Sequence, residues 1–264
     1  MTESYNLYKH AWVYSHAPHL ETCLTDKQIG SLLQKGGWLV RNTFNFDQKQ
    51  TTSFWFVIKD SFNSMAELSS NTRNQVRRGL NNFTIRIIDR TDMLTDGYKI
   101  LCQANASYRI PTNTPSQHQF NDRITLSDTL TEFWGAFNNK NELVAFAINH
   151  IEDNCCNYQT LKAYPEALKN YVYYALIYKM NEYYLQNKKL SYVYDGARSI
   201  TEHSNIQQFL IQKFNFRKAY CSIKITYCWW LKIAVKIIYP FRTLVNNNSV
   251  TAILRQEAMQ RNQI

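Results

Sequence analysis

The spacing of apolar residues along the chain changes several times, and each change predicts an element. "GWLVRNTF" (37–44) and "SFWFVIKD" (53–60) are dense in aromatic and β-branched residues. A polar turn near Asp47–Gln50 separates them, so they read as a hairpin or two adjacent strands. From Ser69 the period becomes helical. Ser69 or Ser70 caps a helix through Arg73, Val76, Arg77 and Leu80, which Asn81 and Asn82 end. "FTIRII" then alternates as a strand. "MLTDGYKILCQANASYRI" returns to helical period and stops at Pro111.

The second half is more regular. "TEFWGAFNN" enters a turn at Asn138–Asn141, and "ELVAFAINHIED" is the returning strand. "CCNYQTLKAY" is a third strand, ended by Pro165. "EALKNYVYYALIYKMNEYYLQNKK" reads as one helix of about six turns. Leu168, Val172, Ala175, Leu176 and Met180 fall on one face, which Tyr171, Tyr178 and Tyr183 extend. "LSYVYDGA" is a strand, "SNIQQFLIQKF" a helix with Ser204 at its cap, and "RKAYCSIKITY" a last strand. This order predicts an α/β protein with a mixed, mostly antiparallel central sheet flanked by helices. It divides into a strand-rich extension (1–60), a central domain (61–227) and an amphipathic helical tail (228–264).

Composition narrows the function. The 264 residues can bury a sizeable core, and 45 % apolar residues exclude a disordered chain. Only 7 glycines speak against glycine-rich cofactor loops, while 18 tyrosines supply stacking or sugar-binding surface. A net charge of +10 fits solubility alone or an anionic partner: cofactor phosphates, nucleic acid or a membrane surface. The six cysteines contain no C-x-x-C pair, and Cys155–Cys156 are adjacent, so no metal is expected. The first twenty residues are polar and form no signal peptide, which makes a reducing, cytoplasmic compartment the default expectation.

Three stretches carry a family resemblance. In "SSNTRNQVRRGLNNFTIRII", Arg73, Val76, Arg77, Arg78 and Gly79 match R-x-x-(I/V)-R-(R/K) followed by a small residue and a strand. The bland reading is a solvated basic helix face. "YPEALKNYVYYAL" follows the frame P-x-x-(R/Q)-x-x-G-x-(G/A), with Pro165 and Leu176 in place. However, Leu168 stands where Arg or Gln belongs, and Tyr171 and Tyr173 hold the small-residue positions. "SNIQQFLIQKFNF" follows N-x-x-A-x-x-x-Y-x-x-x-G-F when Asn215–Phe216 is taken as the G-F pair. Ser204 then takes the asparagine position, and Ile211 the tyrosine position, where no proton can be donated. Over roughly residues 65–220 the chain thus resembles the GCN5-related N-acetyltransferase (GNAT) and Fem-type acyl-CoA N-acyltransferase superfamily, nearer its Fem-type side.

The resemblance implies an acyl or aminoacyl transfer to an amine by direct attack, without a covalent enzyme intermediate. The donor would be acyl-CoA (acetyl-CoA) or a tRNA-borne group, and the acceptor a small-molecule amine or a sugar-amine on a cell-surface precursor. The substrates would meet where "CCNYQTLKAY" and "LSYVYDGA" splay apart. A backbone amide near Leu161 or Ala163 would be the oxyanion donor. Strand alternation puts Tyr158, Thr160 and Lys162 on one face and Asn157, Gln159 and Leu161 on the other. Asp195 is the candidate base or amine-orienting group, with a turn residue before Gly196 as its alternative. His203, beside Glu202, is a second candidate base, with a capping role as its alternative, and Tyr158 completes the catalytic candidates. Leu161, Lys162, Ala163, Lys169, Asn170 and Lys213 are candidates for holding the donor. Tyr164, Tyr173, Arg198 and Ser199 are candidates for the acceptor.

Two features sit outside that frame. "CWWLKIAVKIIYPFR" (228–242) is too interrupted by Lys232 and Lys236 to span a bilayer. It reads either as a helix lying on an anionic membrane face, which would make the protein peripheral on the inner leaflet, or as a docked helix with snorkelling lysines. Arg73, Arg77, Arg78, Arg86 and Arg90 would serve a nucleic-acid binder, but no nucleic-acid motif accompanies them. A non-catalytic binding protein on the same scaffold is the third class. Loss of turnover in Asp195→Ala separates it from an enzyme.

Overall fold

The computed structural model of the protein describes residues 4–108, 113–200 and 205–262. In chain order its elements are β1 (Tyr5–Tyr8), β2 (Ala11–Tyr14), α1 (Asp26–Gln34), β3 (Leu39–Phe44), β4 (Phe54–Lys59), α2 (Ser70–Asn82), β5 (Thr84–Ile88), α3 (Arg90–Asp92), α4 (Tyr98–Ala106) and α5 (Gln117–Thr125). They continue with β6 (Thr131–Phe137), β7 (Leu143–Glu152), β8 (Cys155–Ala163), α6 (Pro165–Lys169), α7 (Val172–Asn181), β9 (Tyr192–Ala197), α8 (Ile206–Phe214), β10 (Arg217–Tyr227), α9 (Trp229–Ile238) and α10 (Asn248–Gln260). Ser69 caps α2 by accepting from the Thr72 amide. Thr25 and Ser116 start α1 and α5 through S/T-x-x-Q capping boxes with Gln28 and Gln119. Neither helix was marked by the apolar period, although both boxes stand in the sequence.

The chain forms two compact units. The first holds β1–β3, β4 as far as Val57, β10 from Lys218, and helices α1, α9 and α10. Its strands run in the order β1-β2-β3-β10-β4. β3 and β4 therefore do not form a hairpin, because β10 lies between them. β10 pairs antiparallel with β3, from Ser222 opposite Phe44 to Tyr227 opposite Leu39. The apolar row Cys221, Ile223 and Ile225 on β10 joins Leu39 and Phe54 in one buried cluster, which a local β3–β4 turn could not supply.

The second unit runs from Ile58 to Gly196 and takes in α8. Its strands lie in the order β9-β8-β7-β6-β5. Three of its ladders are antiparallel and the fourth, β8–β9, is parallel. This is the mixed, mostly antiparallel sheet expected. On one face Ile88, Phe133, Phe146 and Ile148 pack with Met93, Ile100, Phe120 and Ile124 from the helices between β5 and β6. On the other, Ala136, Ala145 and Ala163 meet Ala167 and Val172 of α6 and α7.

The long helix expected over 166–189 is broken. Tyr171 sits in the left-handed region (φ 67°) between α6 and α7, and a π-helical turn, Glu182–Asn187, follows α7. A left-handed non-glycine residue costs roughly 1–2 kcal/mol, so packing must hold it. The Arg78 guanidinium lies over the Tyr171 ring and donates to its hydroxyl at 3.2 Å. Gly79 on α2 lets the helix approach the Tyr171 carbonyl closely: a Cβ there would stand 2.5 Å from that oxygen and 3.1 Å from the Ala175 Cβ. The break also turns Leu168 out to solvent, off the apolar face assigned to it.

In a helix interior Gly→Ala ordinarily stabilises by about 1 kcal/mol. Gly79→Ala is expected to reverse that sign and cost roughly 1–3 kcal/mol through overpacking. Gly30→Ala on α1, where a Cβ meets nothing within 4 Å, is expected to stabilise. Thermal denaturation of both variants followed by far-UV circular dichroism checks the pair.

Candidate active site

β8 and β9 pair over three residues only: Cys155–Asn157 against Tyr192–Tyr194. Beyond them β8 runs on to Ala163 beside β7, and β9 runs on through Asp195 without a further rung to β8. The parallel strands splay where the resemblance places the meeting point of the substrates. Just past the fork lies a cavity of about 10 Å³, room for about one water-sized group. Tyr158, Thr160 and Leu161 of β8, Ala147 and Asn149 of β7, and Asp195 of β9 line it, with α7 and α8 side chains behind.

The β8 lining departs from simple alternation. The β7–β8 register shifts at Ile148/Asn149, so Thr160 faces Ile148 and Tyr158 faces Asn149 while Gln159 bulges out. The bulge brings Tyr158, Thr160 and Leu161 to one cavity, although the sequence put Leu161 on the opposite face.

Backbone parity then orients the strand edge. The Tyr164 amide donates to the Val144 carbonyl on β7, so the amides of Ala163 and Leu161 face the other way, into the fork. The Leu161 carbonyl accepts from the Tyr173 hydroxyl at 3.2 Å, consistent with that direction. Leu161 and Ala163 thus present their N–H groups on the side away from β7.

Asp195 is partly buried at the fork, and burial pushes its carboxyl up to about 7, against a lowering hydrogen bond from Gln207. Gln207 on α8 also donates to the Asp195 carbonyl at 3.0 Å, which seats the helix against β9. Tyr158 is buried and donates to Asn181 Oδ1 at 2.9 Å. Burial raises its hydroxyl well above the usual phenol range, so it stays protonated.

Asn149 is fully buried, and its Oδ1 has no hydrogen-bond partner among the described residues. Its Nδ2 donates to the Tyr184 hydroxyl at 3.2 Å. That hydroxyl also accepts from Trp134 Nε1 and donates to Glu132, both at 2.8 Å. Glu132 in turn pairs with Lys188 at 2.8 Å. The network ties the amide of Asn149 in place. An unmatched buried acceptor costs about 1–3 kcal/mol, so the free oxygen suits an incoming N–H. Sequence patterning missed Asn149 because "VAFAINHI" reads as a plain buried strand.

The other candidates are dispersed. Lys162 donates to Asn105 Oδ1 at 2.7 Å and to the Tyr108 hydroxyl at 3.0 Å. Ala163 and Tyr164 pack into the cluster around Ala167 and Val172, and burial raises the Tyr164 hydroxyl. Burial also raises the Tyr173 hydroxyl. Lys169 and Asn170 are exposed at the end of α6, where the Asn170 amide side chain folds back on the Glu166 carbonyl. Lys213 is half-buried in the last turn of α8. Arg198 and Ser199 belong to the first unit, where Arg198 donates to the Ser53 carbonyl at 2.7 Å. His203 and the capping Ser204 lie outside the described residues.

The turn expected to cradle a diphosphate is filled by α6 itself. The amides of Ala167 and Leu168 bond to the Tyr164 carbonyl, that of Asn170 to Ala167, and that of Tyr171 to Leu168. These donors are already used, and the residues present do not fit a pyrophosphate seated on them.

A second cleft opens beside Ile148 and Gln159. It is polar, about 350 Å³, and lined by Arg123, Asp128, Thr131 and His150. His150 Nδ1 lies 3.5 Å from Asp128, and Arg123 reaches the Thr160 hydroxyl at 3.2 Å. Ile148 and His150 of β7 line this cleft, whereas Ala147 and Asn149, on the alternate positions, line the fork cavity.

No family model and no curated protein sequence matches the chain. Among solved structures it is similar to FemX, with a TM-score of 0.56 and 9 % identity over 86 % of this chain and 82 % of that one. It is also similar to L-PGS from Bacillus licheniformis, with a TM-score of 0.55 and 10 % identity over 97 % and 85 %. At these identities the likeness is one of fold: the GNAT/Fem-type N-acyltransferase fold that the strand and helix order suggested.

Asp195 also leaves a mark on stability. Its folded value of about 7 lies above the ordinary 3.8, so between those values the folded state holds a proton that the unfolded chain releases. Its contribution is therefore full below about pH 4, falls as pH rises, and is lost above about pH 7. Asp195→Asn is expected to melt above the parent at pH 8, with the gap closing by pH 4. Melting temperatures of both proteins across that range decide it.

Proposed function

We propose that the protein transfers an aminoacyl or acyl group to an amine, with a sugar-amine or cell-surface precursor as the acceptor class. The observation that carries this reading is the fork between β8 and β9, where a carboxylate, Leu161 of the strand edge and a free amide oxygen line one small cavity. The fold it shares with FemX and L-PGS supports it.

The chemistry asks little of the protein beyond placement. An amine in the fork gives its N–H to Asn149 Oδ1 and its proton to Asp195. With its carboxyl near 7, Asp195 is poised to accept that proton at neutral pH. The amine lone pair attacks the donor carbonyl as that proton leaves. The carbonyl oxygen gains charge against the Leu161 and Ala163 amides, which form no ladder bonds to β9 there. The tetrahedral intermediate collapses, the bond to the carrier breaks, and the new amide forms. The proton held by Asp195 then passes to the departing carrier oxygen or sulfur, since Ile211 stands at the tyrosine position and Tyr158 keeps its proton on Asn181.

Between the two donor classes, the tyrosines at the small-residue positions 171 and 173, with the Asn170 and Tyr171 amides already bonded, favour a tRNA-borne aminoacyl group over a coenzyme A thioester in the usual pose.

Turnover with a charged tRNA or with acetyl-CoA, measured against a panel of amines, tests the reading. Turnover is expected to climb as pH passes about 7, following Asp195 ionisation. Asp195→Asn is expected to lose about 10²–10⁴-fold in kcat with little change in donor KM. Salt-resistant acetyl-CoA binding in a calorimetric titration would reassign the donor. Unchanged turnover in Asp195→Asn would remove the carboxylate from the mechanism.

A further inference from the structure

The segment after β10 holds a second feature, independent of the fork. α9 buries Leu231 and Val235, and Tyr239 continues that inner row one turn on. The opposite row does the reverse. Trp229, Ile233, Ile237, Phe241 and Leu244 are all large, apolar and 55 to 77 % exposed. These residues follow a stripe of three- and four-residue spacing along α9 and the 3₁₀ turn Tyr239–Leu244. Trp230, also exposed, leans on Trp38 edge to face at 5.8 Å. Monomeric soluble proteins rarely leave so many contiguous large apolar side chains in water.

Charge identifies what covers the stripe. Lys232 and Lys236 are exposed on the same helix, and Arg242 follows with its guanidinium over the Tyr239 ring. From Lys218 to Gln256, the part of the first unit that holds α9, the chain contains no aspartate or glutamate. Six basic residues fall in that stretch: Lys218, Lys224, Lys232, Lys236, Arg242 and Arg255. A second copy of the chain would bring lysines against lysines with no acid on α9 to answer them. A leaflet of anionic lipid answers both features. Its headgroups pair with the lysines, and its acyl boundary takes the apolar row, with tryptophans at the depth they prefer. No helix among the described residues is long and apolar enough to cross a membrane, and α9 has only ten residues. The geometry points to an in-plane helix: α9 and the following 3₁₀ turn are a docking face for an anionic membrane surface.

Co-sedimentation of the full chain with lipid vesicles tests this. One set is phosphatidylcholine alone, and the other carries roughly a third phosphatidylglycerol, each at low and physiological salt. Binding is expected on the anionic set and is expected to weaken with salt. Lys232→Gln with Lys236→Gln is expected to weaken it by roughly 25-fold, about fivefold per lysine. Ile233→Ser with Ile237→Ser is expected to weaken it further at physiological salt, where the apolar term remains. All four side chains are exposed, so circular dichroism should be unchanged in both variants. Absence of binding to anionic vesicles, or binding that neither pair alters, overturns the proposal. So does a dimer in light scattering that Ile233→Ser with Ile237→Ser dissociates while vesicle binding stays nil, since the covering surface is then a second copy.

Discussion

β8 and β9 share three rungs of parallel ladder and then part, and the candidate site depends on that separation. A parallel pair that stayed zipped would spend every edge amide on its neighbour. Parting frees the Leu161 and Ala163 amides and leaves a gap that side chains must close. α7 and α8 close it from behind: Tyr173 satisfies the Leu161 carbonyl, and Gln207 holds the Asp195 backbone. What remains open is one small cavity with a carboxylate on one wall and strand on the other.

The groups that line this gap are poorly suited to stability alone. A carboxyl raised to about 7 by burial and a buried amide oxygen without a partner each hold the folded state back. Asn149 is held by Tyr184, which also joins Trp134 and Glu132, and Asp195 by Gln207. The Asn181 amide nitrogen, beside Tyr158, is likewise buried without a partner among the described residues, so unmatched polar atoms gather at the fork, where proton transfer needs groups that the fold has not already neutralised.

The stretch from Pro165 to Leu176 shows how a scaffold and its ligand chemistry come apart. Pro165 starts a helix, as a first-turn proline should. Without glycine at 171 and 173, the chain turns through a left-handed tyrosine and uses the amides of Ala167, Leu168, Asn170 and Tyr171 itself. Arg78 and Gly79, read from sequence as part of a basic helix face, serve this turn: one lies on the Tyr171 ring, and the other makes room for its carbonyl. Arg78 on α2 thus has a packing partner in the structure as well as a charge.

Local sequence determined the elements, because periodicity and caps act within a few residues. β5 to β10, α2 and α8 lie where alternation, Ser69 and the turn residues put them. Asp195 was marked by its place at the end of an apolar strand, and the mixed sheet by the order of elements. Tertiary structure decided what long-range pairing controls. β10 came between β3 and β4 because its alternating apolar row completes their core from far along the chain. The bulge at Gln159 depends on β7 as a partner, so no reading of β8 alone could bring Leu161 beside Thr160. Asn149 became a candidate only when Tyr184, some thirty-five residues later, claimed one end of its amide and left the other free.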